Sequence, residues 1–280
     1  METKNGQQTQ DFFSNVTNGL KGQSAIPYKI NKEALNYDVN SQLAEQVLNL
    51  CGNFDNHIFK SIPTYFENLV NKANVFAKLS HCKILDIGAS DNLLLRAVNM
   101  INDVNSNTLV ALDCNNDMYV NSLNKPFATE YICAPFIYDF DDMKAHDFNN
   151  EKFDIVNASM FYQFINNDRA YQIAETKKVL TDGGVLIIDE KCFDNSENWK
   201  MNELLKDEYK KQYFTIEDMK TKSEEVLIGM HEDMISVNKL FGLLASNFKY
   251  VERYWKANNF YGFVCSDNEN NLRLLTEEFK

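Results

Sequence analysis

No apolar run in these 280 residues approaches the roughly 18–20 positions that a bilayer span requires; runs such as 184–188 are among the longest. The amino-terminal METKNGQQTQ also lacks the apolar region of a secretory leader. Both absences predict a cytoplasmic chain with no membrane partner. Basic charge is scarce, 28 Lys+Arg against 40 Asp+Glu, and the net charge of −12 repels phosphate backbones and anionic lipid, which argues against direct nucleic-acid binding. The six cysteines contain no CxxC, and the four histidines show neither HxxxH nor a Cys/His spacing, so no protein-ligated metal is expected. The thiols are expected to pack as small hydrophobes. The sequon at Asn15 matters only in a secreted chain.

What is present suffices for a buried core: 44% of residues are hydrophobic, and the length permits one large domain or two small ones. Residues 1–24 are polar and aperiodic and read as a mobile arm that Phe12 and Phe13 could pin. Residues 25–80 read as leading helices, over 32–50 (Leu35, Val39, Leu43, Val47, Leu50) and 58–77 (Phe59, Ile62, Phe66, Leu69, Val70). Then strands and helices alternate: strand 83–87, helix 93–101, strand 108–112, helix 117–123, strands 130–133 and 153–158, helix 168–180, a turn at 182–184 and strand 185–189. Such alternation means a parallel sheet with right-handed crossovers. Helices are expected over 197–211, 215–229 and 234–245, and strands 249–255 and 260–265 form a closing hairpin around 256–259. The predicted fold class is α/β, Rossmann-like and mostly parallel. Its main domain spans 81–266 with a helical insertion near 195–230, and 267–280 form a tail.

In an open α/β sheet, ligands bind at the carboxyl ends of the strands. The loop there reads Asp86-Ile87-Gly88-Ala89-Ser90-Asp91-Asn92. A glycine just past the strand admits close approach of a ligand, and the helix near Leu93 should direct free N–H groups toward it. A plain tight turn is the alternative. Asp113 ends the next strand, where a carboxylate can accept both ribose hydroxyls; it could instead cap the helix near Asp117.

The chain resembles the carboxy-S-adenosylmethionine synthase branch of the class I S-adenosylmethionine-dependent methyltransferases over residues 54–266. The likeness lies in Phe54-Asp55, Ser61-Ile62-Pro63-Thr64-Tyr65, the loop with Ser90, Gln163-Phe164, Gly183-Gly184, Glu190-Lys191 and Asn259-Phe260. The resemblance implies S-adenosyl-L-methionine as cofactor, a homodimer, and, in that branch, its conversion with prephenate to a carboxylated sulfonium that a separate tRNA-modifying enzyme uses. It implies that Tyr65 closes over the cofactor, that Gly88, Ala89 and Ser90 line its methionine end with Asp86 opening the loop, that Asp113 holds the ribose, and that Cys114 borders the adenine. Phe136 stands where the family has an acid for the adenine amine, leaving Ile137 backbone groups or Asp139 to select the base, and Ser159 replaces an asparagine. Lys220 or Glu224, with Lys222 between, replaces the arginine that clamps the extra carboxylate.

The leading functional expectation is an enzyme that transfers a methyl group or a one-carbon derivative to or from a small molecule, with no catalytic residue identified. Carboxy-cofactor synthesis and a non-catalytic ligand-binding dimer of the same fold are the alternatives. Lys191, Lys220 and Lys222 are the candidate substrate-binding residues. Lys191 faces the mouth of the site or is a surface lysine paired with Glu190 or Asp189. The run Glu203, Lys206, Asp207, Lys210, Lys211 reads as a solvated face, and Phe161, Tyr162 and Phe164 read as core aromatics.

Overall fold

The apolar runs become β1 (Lys83–Ile87), β2 (Thr108–Asp113), β3 (Glu130–Cys133), β4 (Phe153–Ser159), β5 (Leu180–Lys191), β6 (Tyr250–Ala257) and β7 (Phe260–Ser266). In the computed structural model, which describes residues 41–102, 106–139, 143–193, 197–222 and 233–279, they form one seven-stranded sheet ordered β3-β2-β1-β4-β5-β7-β6. Pairs among β1 to β5 are parallel, and β7 runs antiparallel to both β5 and β6. Residues 84–87 and 185–188 are buried on both faces, which explains their unbroken apolar character.

The helices are α1 (Ser41–Leu48), α2 (Asn53–Ser61), α3 (Tyr65–Lys78), α4 (Leu93–Ile101), α5 (Asn116–Leu123), α6 (Arg169–Lys178), α7 (Glu197–Lys210), α8 (Ile216–Lys222), α9 (Val237–Asn247) and α10 (Glu269–Glu278). One core lies between the sheet and α1, α3, α4 and α10 and includes Val47, Val70, Phe76, Leu95, Ile187 and Leu272. The other lies beneath α6 and α9 and includes Leu112, Ile173, Ile188 and Leu240.

Four expectations are corrected. The single helix over 58–77 is two, because Pro63 ends α2 at Ser61: Ile62 is extended and Thr64 is left-handed at φ 58°. The turn at 182–184 lies inside β5, since Leu180 already pairs with Phe153 before the register shifts at Ile155. The hairpin loop contracts to Asn258-Asn259, with Asn258 at φ 54°, a conformation asparagine tolerates. Helix α9 starts at Val237 rather than 234, because Ser236 accepts the Lys239 N–H as its cap. The arm 1–24 with its sequon, residues 25–40, and 223–232 with Glu224 lie outside the described residues.

α3 is fixed to the sheet by a polar cluster as well as by apolar packing. Asn68 and Lys72, one turn apart, face the carboxyl ends of β1, β4 and β5. Lys72, 2% exposed, donates to Asn157 Oδ1 at 3.1 Å, to Ser159 Oγ at 2.6 Å and to Asp189 Oδ2. Asp189 also accepts from Asn68 at 3.1 Å, Ser159 at 2.9 Å and the Tyr254 hydroxyl at 2.6 Å. Gly262 makes the last bond possible: a Cβ there would stand 2.6 Å from Asp189 Oδ1 and 2.7 Å from Tyr254 Cε1. Removing the cation from such a cluster strands a buried carboxylate, so Lys72→Met is expected to lose about 3–5 kcal/mol in urea unfolding at neutral pH, with Lys72→Met/Asp189→Asn recovering part. A loss below about 1 kcal/mol would show that the ion pair does not hold α3 in place.

Candidate functional site

The loop after β1 is shaped by the end of β2. Gly88 N–H and Ala89 N–H both donate to Leu112 O, at 2.8 and 3.1 Å, and Ser90 N–H donates to Asp113 Oδ2 at 2.9 Å. Gly88, Ser90 and Asn92 take φ of 70°, 52° and 67°, so the left-handed conformation recurs at alternate positions. These loop N–H groups are therefore engaged with β2, and the amides presented at the helix end are those of residues 93–95, since Arg96 N–H makes the first intrahelical bond, to Asn92 O at 3.1 Å. The free donors thus sit at the helix near Leu93, where they were expected, and not on Gly88.

Asp113 does not cap α5. Asn115 does, accepting from the Asp117 and Met118 N–H groups, while Asp113 Oδ1 accepts the Asn115 N–H at 2.9 Å. Burial raises the Asp113 pKa, and the amides of Asn115, Ser90 and Cys114 oppose that shift. Asp86 lies one strand away, bonded by Asn157 Nδ2 at 2.6 Å. Burial pushes Asp86 up to about 7, against the pull of Asn157 and Lys72.

Tyr65 opens α3 with its ring 6.0 Å from that of Trp255. Burial raises the pKa of its hydroxyl, the Asp189 and Asp86 charges add to the shift, and the Ser159 side chain opposes it. Cys114 is partly buried after β2. Phe136 is buried after β3, edge-on to Phe148 at 6.0 Å and to Phe161 at 6.3 Å, with Ile137 partly buried beside it. Asp139 is exposed and accepts the Ala145 N–H at 2.9 Å.

Phe161 has a larger part than sequence reasoning gave it. The chain leaves β4 through Met160 at φ 54° and returns Phe161 over Gly88, where a Cβ would lie 2.5 Å from Phe161 Cδ2. A non-glycine left-handed residue cannot be read from the sequence, so the aromatic neighbour of Gly88 was not foreseeable.

Lys191 is not a surface lysine. It is buried and its ammonium donates to Glu203 Oε2 at 3.1 Å, while Asp189 is taken by Lys72 and Glu190 by Arg169, whose Nε donates at 2.6 Å. Nor is the face of α7 that carries Lys206 and Lys210 solvated: they are 2% and 7% exposed. Lys220 is exposed on α8, and Lys222 ends that helix. Among the described residues, no group of three or more His, Cys, Asp and Glu could hold a metal ion, and no helix is long and apolar enough to cross a membrane.

A family model described as a methyltransferase domain matches residues 85–188, the stretch from β1 to β5 that contains the loop, Asp113, Phe136 and Ser159. No curated protein matches the chain. Among solved structures, the chain is similar to the plantazolicin methyltransferase BpumL in complex with SAH, with 10% identity and a TM-score of 0.52 over 84% of this chain and 93% of that one. It is likewise similar to BpumL in complex with a monoazolic desmethylPZN analog and SAH, with 10% identity and a TM-score of 0.52 over 93% and 99% of the two chains. At this identity the likeness is one of fold.

Two outcomes test the geometry. Gly88→Ala meets Phe161 in a left-handed conformation, and a loss of about 1–3 kcal/mol in thermal or urea unfolding is expected; unchanged stability would show that Phe161 moves aside without cost. For Asp86, a folded pKa of about 7 lies above the ordinary carboxylate value. The folded state therefore keeps a proton that the unfolded chain releases between about pH 4 and 7, and stability falls as pH rises through that window. Asp86→Asn should be more stable than the parent at pH 8 and gain nothing at pH 4; an equal effect at both values would rule out ionisation of Asp86 as the cause.

Proposed function

We propose, from the match of residues 85–188 to a methyltransferase-domain model and the likeness of fold to a solved methyltransferase, that the chain binds S-adenosylmethionine at the ends of β1, β2 and β3 and methylates a small-molecule acceptor. The observation that carries this reading is Asp113 beside Gly88 on adjacent parallel strands, tied together through Leu112 O and Ser90 N–H.

The residues fit the cofactor. Each Asp113 oxygen accepts one loop or chain N–H and keeps a lone pair, enough for the two hydroxyls of a ribose. Asn92 Oδ1 is buried without a partner in the same loop, an acceptor left over once Asn92 Nδ2 has donated to Thr129 at 2.6 Å. Phe136 offers adenine an apolar face and cannot accept its amine hydrogens, so base recognition falls to backbone groups near Ile137. Tyr65 and Ser159 flank the methionine end, and Phe161 packs where that end would cross Gly88.

When bound, the sulfonium supplies an electrophilic methyl group with a neutral leaving group. The protein's task is then alignment and exclusion of water rather than proton transfer. Tyr65, Trp255 and Phe161 wall the site, and the Lys72–Asp189 cluster holds Ser159 and α3 in position. We retain methyl transfer over carboxy-cofactor synthesis because no arginine stands at the position that the resemblance assigns to the carboxylate clamp, and the lysine found there, Lys220, is exposed on α8. Cytoplasmic location and a homodimer are further parts of the proposal; light scattering checks the second.

Asp113→Ala removes two charge-assisted hydrogen bonds of about 1.5–3 kcal/mol each, so affinity for S-adenosylmethionine or its demethylated product should fall by roughly two to four orders of magnitude in calorimetry. Asp113→Asn, which retains one acceptor for the loop amides, should fall less. A change below threefold in the alanine variant would sink the ribose role. Failure of the parent chain to bind either molecule would sink the proposal as a whole.

A further inference from the structure

Lys191 ends β5, and its ammonium shares Glu203 Oε2 with Lys206. Lys206 and Lys210 each stand 3.9 Å from Asp207 Oδ1. Three ammoniums thus meet two carboxylates, a local positive surplus in a chain of net charge −12. Burial opposes ionisation of Glu203, yet Lys191 and Lys206 outweigh it and hold Glu203 down to about 2, so its charge is wholly committed. Burial, with Lys206 adding repulsion, lowers both Lys191 and Lys210 to about 8.

The way α7 faces gives these lysines meaning. Glu203, Lys206 and Lys210 recur at helical spacing on one side, and that side is turned inward, while Met201, Leu204 and Leu205 are 56%, 60% and 52% exposed. A helix docked by apolar burial alone would face the other way. This orientation is held by Asn259 Nδ2, which donates to Glu203 Oε1 at 2.9 Å and to Trp199 O at 3.1 Å, and by the Tyr209 hydroxyl, which donates to Phe59 O at 2.8 Å. Lys210 is 7% exposed, and its nearest carboxylate oxygen, Asp207 Oδ1 at 3.9 Å, is beyond hydrogen-bond reach. Its ammonium therefore keeps donors that an anion seated against it can take up.

We propose that Lys191, Lys206 and Lys210 form a receptor for an anionic group, a carboxylate or a phosphate, carried by the methyl acceptor. Lys191 lies two residues past Asp189, the register partner of Ser159, so the anion is held roughly 7 Å beyond the methionine end along the strand direction. The acceptor's nucleophile then sits between the sulfonium and the lysines. Assignment of the anion to the acceptor rests on the methyl-transfer reading, whereas the anion site does not.

The test uses the full chain, with inorganic phosphate and malonate as probes against chloride at fixed ionic strength, by thermal shift and calorimetry, with SAH titrated in parallel. Phosphate or malonate should stabilise the chain above chloride, and the tighter of the two identifies the group. Lys210→Gln should weaken that binding at least tenfold and leave SAH affinity within twofold. Lys206→Met removes a partner of Glu203 and could fail to fold, so Lys210→Gln is the deciding variant. No stabilisation by either anion, or equal binding to parent and Lys210→Gln, overturns the site. Anion binding that survives while SAH fails to bind would reject the methyl-transfer reading and keep the anion site.

Discussion

The arrangement depends on one buried ion pair, that of Lys72 with Asp189. Three elements converge on it: α3 supplies the cation, β5 the anion, and β4 the Asn157 and Ser159 acceptors that surround them. An isolated charge of either sign would be prohibitive at that depth, so each group compels the other. The consequence reaches the surface. Tyr65 opens the helix that Lys72 anchors, and Ser159 is bonded directly to both members of the pair, so the walls of the site inherit the positions set beneath them.

The parts of the fold that were legible are those set by one-dimensional pattern. The runs 83–87 and 93–101 match β1 and α4 to the residue, because a strand buried on both faces and a helix that opens on three leucines leave no competing pattern; 130–133 also matches β3, although that strand is exposed at Glu130 and only half-buried beyond it. The loop positions of Gly88 and Asp113 followed from the same alternation. The break at Pro63 was visible in principle, but the apolar stripe on either side of it has the same period and masked the interruption.

What escaped were orientations. The spacing of Glu203, Lys206 and Lys210 fixes that they share a face and says nothing about which way it points. The usual assumption that charge faces water failed, and the leucines on the opposite side were the signal against it. Lys72 had a comparable clue: Asp86, Asn157 and Asp189 are polar residues in buried stretches toward the carboxyl ends of β1, β4 and β5. Acids there need a partner from the layer above, and the helix before β1 offers only a few polar side chains on its inner side.

The inward turn of α7 has a thermodynamic consequence. A helix held by Asn259, Tyr209 and shared carboxylates, with its leucines already in water, exposes little new apolar surface when it lifts away. Its detachment therefore carries a small heat-capacity change and a weak dependence on denaturant, unlike the opening of α3 or α4, which are fastened by buried aliphatic area. Amide exchange in α7 should therefore depend less on urea than exchange in α3 or α4 does.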